Sequence, residues 1–330
     1  MRLCLAAVVS LSASLAWADP DPRIDAIVQT HILPRVAYLS DTAEALNSAA
    51  QADCRVSSAP LQQAYHQAFD AWIGVSHLRF GPIEAENRGF ALAFWPDSRG
   101  ATPKTLTALI TSADPVVGNA EDFATVSIAG RGFYALDYLL FDPRLSQLGA
   151  PGYHCALIRA IAGDIDLIAA DIARDWQGYA TLMQNPGTGP YQSETEVLQE
   201  LFKALTTGLE INSAMRLGRP MGQPDKPRPK RAEAWRSGRS LQNLTLSLMA
   251  LQELAALLSD QDPAMDRAFG RALDRAKNLQ DPVFAGVSDP MGRLRIEALQ
   301  QRIADVQTRA SQDLGPALGV AAGFNSLDGD

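Results

Sequence analysis

Apolar residues recur every three or four positions along most of this chain, and β-branched or strictly alternating runs are scarce. That periodicity lays an apolar stripe along a helix and leaves no material for a sheet. Ala and Leu dominate and aromatic residues are only 7% of the chain, which points the same way. The expectation is an all-α protein, with 330 residues enough for two packed antiparallel helical bundles. Helices read at about 22–49, 60–80, 103–113, 120–141, 151–184, 193–217, 239–261, 263–278 and 291–313. The division that follows is 19–145 for the first bundle and 146–330 for the second, behind a leader at 1–18.

The punctuation fits these segments. Ser57, Ser58 and Pro60 open one helix, Gly81-Pro82 closes it, and Asp262-Pro263 and Asp289-Pro290 open the last two. Pro34 should kink the first helix. Two stretches read as non-helical. Residues 81–101, "GPIEAENRGFALAFWPDSRGA", form a loop long enough to suggest function. Residues 219–231, "RPMGQPDKPRPKR", read as a stiff, proline-rich connection whose basic run is a solvated face.

The start of the chain has Arg2, an apolar run from Leu3 to Ala16, and Ala16-Trp17-Ala18 before Asp19. This is the pattern of a secretory signal cleaved after Ala18. No later segment reads as a membrane span, so the expected protein is periplasmic and free of the membrane after processing. Cys4 leaves with the signal. Cys54 and Cys155 remain in an oxidising compartment, where one disulfide is the expectation and two buried thiols the alternative. A net charge of −8 excludes the electrostatic footprint of a nucleic-acid binder.

HExxH, CxxC, GxSxG and Walker patterns are all missing, which removes zincin, dithiol, α/β-hydrolase and P-loop chemistry. His66, Asp70 and His77 share one helical stripe, but His66 and His77 would lie about 16 Å apart along it. They cannot share a metal ion. Arg79 falls at a helix C-terminus, where the dipole favours a cation. Ser237 and Ser240, flanked by Arg236 and Arg239, read as a helix start suited to an anion or as a simple cap. In "GRGFYALDYLLF", residues 130–141, Tyr134 and Asp137 are three apart and share a helix face.

Four stretches taken in order, "AWIGVSHLRFGP", "FWPDSRG", "GRGFYALDYLLF" and "AEAWRSGRSLQNL", resemble the imelysin family of bacterial envelope proteins over about residues 60–260. The resemblance implies two helical bundles with a shared core site. It also implies a family classed as metallopeptidases and linked to iron uptake, many of whose members are regarded as binding proteins. The family signature G-x-H-x-x-E reads here Gly132-Phe133-Tyr134-Ala135-Leu136-Asp137. Tyr134 stands at the histidine and Asp137 at the glutamate. A phenol with a pKa near 10 is a poor ligand for Zn²⁺ or Fe²⁺, so the metal site reads as degenerate and hydrolysis is not expected.

The candidate binding residues are therefore Arg79, Asp97, Arg239 and Ser240, with Tyr134 and Asp137 at the degenerate metal position. Arg79 or Arg239 is the expected partner of Asp137, and Glu84, Glu86 and Asp97 are expected nearby. The implied role is a periplasmic binding or accessory protein in iron handling. A metal-dependent peptidase and a metal-free scaffold for an envelope protein are the alternatives. The cofactor stays open between iron and none, and the partner between a small ligand, a metal and an envelope protein.

Overall fold

The computed structural model describes residues 21–321, so the expected signal at 1–18 lies outside the described residues. The described residues contain helices and no strand, with one isolated bridge between Gln223 and Lys226.

The first rod, α1, runs through Pro22–Ala26, Ile27–Ile32 and Leu33–Ala52 without a break. Asp21 caps it by accepting from the Arg23 amide at 2.9 Å. Where Pro34 was expected to kink the helix, the turn just before it, Ile27–Ile32, widens to a π-helix, with the Leu33 amide bonding to Val28. Proline cannot donate to the carbonyl four residues back, and a widened turn accommodates the missing bond.

The other long elements are α2 (Ala59–Val75), α3 (Ala101–Ser112), α4 (Gly132–Phe141), α5 (Pro151–Gln184), α6 (Glu194–Glu210), α7 (Ser240–Leu258), α8 (Pro263–Lys277) and α9 (Pro290–Arg309). Like α1, α6 runs on through a π-helical stretch, Ile211–Leu217, into Gly218–Met221. One set of helices is built on α1, α2, α4 and α5, the other on α6, α7, α8 and α9, and α2 packs on α7 where the sets meet. The most extensive pairing in the fold is α1 with α5, a helix that begins beyond residue 145. Phe69, Trp176, Phe202, Phe269 and Leu251 are among the fully buried side chains, each contributing about 1.5–3 kcal/mol relative to exposure.

Several sequence readings are corrected. The stretch expected as one helix at 120–141 breaks into Ala120–Ala124, a 3₁₀ turn Ile128–Gly130 and α4. The 81–101 loop holds 3₁₀ turns at Gly81–Ile83 and Ala85–Asn87 and a short helix Arg88–Leu92, pinned by Arg88 to Asp175 at 2.7 Å. In the proline-rich connection, Pro229–Arg231 forms a 3₁₀ turn. Helix α7 does reach the length and mean hydropathy (1.2) of a membrane span, which the sequence reading did not anticipate. Its Leu244, Leu248, Leu251, Leu254 and Leu258 are buried inside the protein beside the polar Asn243 and Ser247. That is the pattern of a core helix.

Cys54 and Cys155 are disulfide-bonded, with Cα atoms 5.2 Å apart. The bond joins the end of α1 to the start of α5, across the most extensively packed helix pair.

Candidate functional site

The site begins with a backbone requirement. Gly132 opens α4 with φ +73°, and a Cβ there would collide with the carbonyl oxygens of Ala91 and Leu92. Only glycine permits both the left-handed conformation and the approach of the 88–94 segment. That approach brings Trp95 alongside Tyr134, with ring centroids 6.4 Å apart and nearly parallel planes.

Tyr134 and Asp137 then face one short segment, 232–239, that precedes α7. The Tyr134 hydroxyl donates to Glu233 Oε1 at 2.5 Å. Ser237 Oγ donates to Asp137 Oδ1 in a short hydrogen bond, and Tyr65 Oη reaches the same oxygen at 3.2 Å. Two groups three apart on α4 thus meet two groups four apart on the facing turn.

Behind Glu233 stands an arginine that the sequence reading did not single out. Arg216 Nε donates to Glu233 Oε2 at 2.7 Å, and its Nη1 donates to Asn212 Oδ1 at 3.0 Å. Asn212 Nδ2 donates to Ser247 Oγ on α7 at 2.9 Å. Arg216 and Asn212 both lie on the π-helical extension of α6, a widened turn of the kind that recurs at functional sites. Glu233 is 2% exposed and Arg216 4%, so this ion pair is sealed from water. A Glu between alanines in "AEAWRSGRS" and an Arg in an apolar helical run were the available signals; neither says which charge meets which.

Burial shifts the titrations of the cluster. It pushes the Tyr134 hydroxyl well above the ordinary tyrosine value, and the neighbouring Glu233 charge adds to the effect. At Glu233 burial pushes upward, but Arg216 and the hydrogen bonds outweigh it and hold the carboxyl below its ordinary value. Burial pushes Asp137 up to about 6, against the pull of Ser237, Arg236, Tyr65 and Arg239. A carboxyl raised from 3.8 to about 6 on folding adds stability below the lower value and loses it as pH rises through the upper one. Asp137→Asn should therefore gain up to about 3 kcal/mol over the wild type near neutral pH and almost nothing near pH 4. Urea unfolding at both pH values checks the difference; equal gains at both would remove the burial argument.

The expected site residues are distributed unevenly around this cluster. Arg239 is buried but turned to α2: it pairs with Asp70, meets His66 Nδ1 at 3.0 Å, and lies 4.9 Å from the Phe69 ring centroid. His66 and Asp70 thus share an arginine. His77 faces away from them, its Nε2 at 2.9 Å from His31 Nε2. Neither Arg79 nor Arg239 forms an ion pair with Asp137 among the described residues; the hydrogen bonds to Asp137 come from hydroxyls. Asp97 lines a cavity with Tyr134 and Asp137 and also caps α3, accepting from the amides of Ala101 at 2.9 Å and Thr102 at 2.8 Å. Ser240 is the first residue of α7 and does not cap it; its Oγ donates to the Glu233 carbonyl at 2.6 Å. Arg236 pairs with Asp142 at 2.8 Å and lies over the Tyr138 ring at 3.7 Å.

Arg79 is placed differently from all of these. It lines two adjoining cavities, one shared with Tyr134, Arg216 and Glu233, the other opening between α2, α6 and the 81–90 segment.

Helices alone, with a buried polar cluster where two helical sets meet, define a two-bundle helical protein with a junction site. The chain belongs to the imelysin family (peptidase M75), whose family model matches residues 32–310. It is 22% identical to the iron-regulated protein A of Synechococcus elongatus over 322 residues, covering 89% of this chain and 84% of that protein. Its fold is similar to the crystal structure of an imelysin-like protein from Psychrobacter arcticum 273-4, with a TM-score of 0.71, 18% identity, and 92% and 96% of the two chains covered. A Parabacteroides distasonis structure described as that of an iron-regulated protein A precursor gives a TM-score of 0.70 at 14% identity, over 87% of this chain and 92% of that one.

Proposed function

We propose that this chain is a periplasmic binding or accessory protein of the imelysin family, connected with iron handling, and that its junction site does not perform metal-dependent peptide hydrolysis. The observation that carries this reading is the bonding of Tyr134. Its hydroxyl donates to Glu233, and Glu233 in turn is tied to Arg216, so the group at the family's histidine position is already engaged. A neutral phenol directed at a carboxylate is not a lone-pair ligand for a divalent ion. Asp137 supplies one carboxylate, with its Oδ1 already accepting two hydroxyls. The donors present do not fit the divalent metal of a peptidase. The names of the relatives speak of regulation by iron, which supports the cellular context and specifies no ligand. The Arg2 and Ala16-Trp17-Ala18 pattern supports export, and the Cys54–Cys155 bond suits an oxidising compartment.

Metal analysis of protein purified from the cell envelope, with peptidase assays in the presence and absence of chelator, tests the reading. The wild type is expected to show no chelator-sensitive hydrolysis and only weak Zn²⁺ binding by calorimetry. Tyr134→His combined with Asp137→Glu restores the signature and should raise Zn²⁺ affinity by at least about tenfold, because imidazole is a far better ligand than a neutral phenol. Sub-micromolar zinc binding by the wild type that disappears in Asp137→Ala would overturn the proposal.

A further inference from the structure

We propose that the cavity between α2, α6 and the 81–90 segment binds an organic monocarboxylate with an apolar body, and that Arg79 is its anchor. The inference rests on the reading of this chain as a binding protein and names the ligand class.

The first observation is an arginine whose side chain makes no ion pair and no hydrogen bond among the described residues. Most buried arginines here are matched: Arg216 with Glu233, Arg239 with Asp70, Arg131 with Asp164, Arg88 with Asp175. The Arg79 side chain has no ion pair or hydrogen-bond partner among the described residues, and its Nε is completely shielded from solvent. Burial and the nearby Arg216 charge push its pKa below the ordinary arginine value, against the smaller opposing pull of Tyr134, Glu84 and Glu233. Arg79 is half-buried, so leaving its Nε shielded and unpartnered carries a desolvation cost smaller than that of a sealed ion, and a guanidinium fork is shaped for a carboxylate. A ligand that brings the missing negative charge removes that cost.

The second observation is the cavity itself. It has a volume of about 370 Å³ and carries Arg79 in its wall, with Trp72, Phe80, Ile83 and Phe90 supplying apolar surface. That volume and mixture suit a small organic molecule held by a few polar groups. Phe90 is 51% exposed, an aromatic ring left open to solvent at the cavity. Thr207 Oγ1, also in the lining, is buried without a partner. Glycine at position 89 keeps the wall low: a Cβ there would press on Ile83 at 3.1 Å.

The third observation sets the charge of the ligand. Glu84 and Glu200 also line the cavity, with Lys203 4.0 Å from Glu200. Glu84 forms no ion pair among the described residues, so a second negative charge on the ligand would face an acid. One carboxylate is therefore favoured over two. A phosphate dianion is disfavoured on the same ground.

The test uses the mature full-length protein with three probes: 3-phenylpropanoate, its amide, and phenylsuccinate. Calorimetry and intrinsic tryptophan fluorescence, to which Trp72 in the cavity wall contributes, report binding. Phenylpropanoate is expected to bind at least about tenfold more tightly than the amide or the dicarboxylate, since only it supplies a single charge for the guanidinium. Arg79→Met should abolish that preference and raise the melting temperature of the ligand-free protein, because it removes an unpaired, half-buried charge. Arg79→Lys should keep the charge preference with weakened affinity. Equal binding of acid and amide would overturn the proposal. So would an Arg79→Met protein that unfolds more easily than the wild type, since Arg79 would then be a structural residue. Neither result bears on the metal and peptidase assays, so the two readings fail separately.

Discussion

Glu233→Ala should destabilise the protein by about 3–5 kcal/mol, because it leaves the Arg216 guanidinium buried without its carboxylate and the Tyr134 hydroxyl without its acceptor. In a chain of this size that corresponds to a fall in melting temperature on the order of 10 °C. The ion pair itself is not the source of stability on this scale. Bringing both charges out of water costs nearly as much as their attraction returns, so the loss comes from breaking the pair. The triple variant Tyr134→Phe, Arg216→Met, Glu233→Leu should accordingly recover most of the stability lost by Glu233→Ala. Thermal and urea unfolding of the wild type, single and triple variants measure both halves. A Glu233→Ala protein that unfolds like the wild type would mean that Arg216 finds water or another acceptor, and that the cluster is not sealed.

Why such a pair is kept is a question of position. Glu233 lies in the non-helical segment between the extension of α6 and the start of α7, where no periodic hydrogen bonding holds the chain. Arg216 on α6, Tyr134 on α4 and the Ser240 hydroxyl on α7 each fix one group of that residue. Three elements are thereby registered against one another at the junction of the two helical sets, which a purely apolar contact would leave free to slide.

The helices were readable because a 3.6-residue stripe is a local property. The α5 and α9 segments, Pro151–Gln184 and Pro290–Arg309, follow directly from it, with proline at the start of each. What failed was local structure decided by distant contacts. The break before α4 comes from the carbonyls of Ala91 and Leu92 pressing against Gly132, about 40 residues away in sequence, and periodicity through 120–141 carries no trace of that. The same limit applied to charges. Arg239 was legible as a residue beside a helix start, but its actual partners, Asp70 and His66, lie on α2. Asp97 read as a loop acid near the site and does line a cavity with Tyr134 and Asp137; its position four residues before Ala101 also makes it a cap, a local reading that was available. Tyr134 and Asp137 were found because they share a helix face; the pairing of Tyr134 with Glu233, 99 residues away, required the fold.

Removing the disulfide should have the second large effect. Cys54→Ala with Cys155→Ala is expected to lower stability by about 2–5 kcal/mol, with the chain-entropy model placing a loop of this size near the upper end. The bond spans 101 residues, and its Cα separation of 5.2 Å lies within the usual range for an ordinary bridge. Its place in the fold sharpens the expectation. It ties the end of α1 to the start of α5, so in the unfolded chain it keeps together the two helices that make the most extensive contact in the native one. The α1–α5 interface itself, with Leu39, Leu46, Ile158, Ile161 and Ile165 buried and Asn47 bonded to Asp166, should survive reduction, leaving a folded but weaker protein. Urea unfolding of the oxidised wild type, the reduced wild type and the double variant decides the matter. The reduced protein should fall on the curve of the variant, both shifted to lower urea from the oxidised form. Coincidence of all three curves would mean that the cross-link constrains nothing that the packing of α1 on α5 does not already hold.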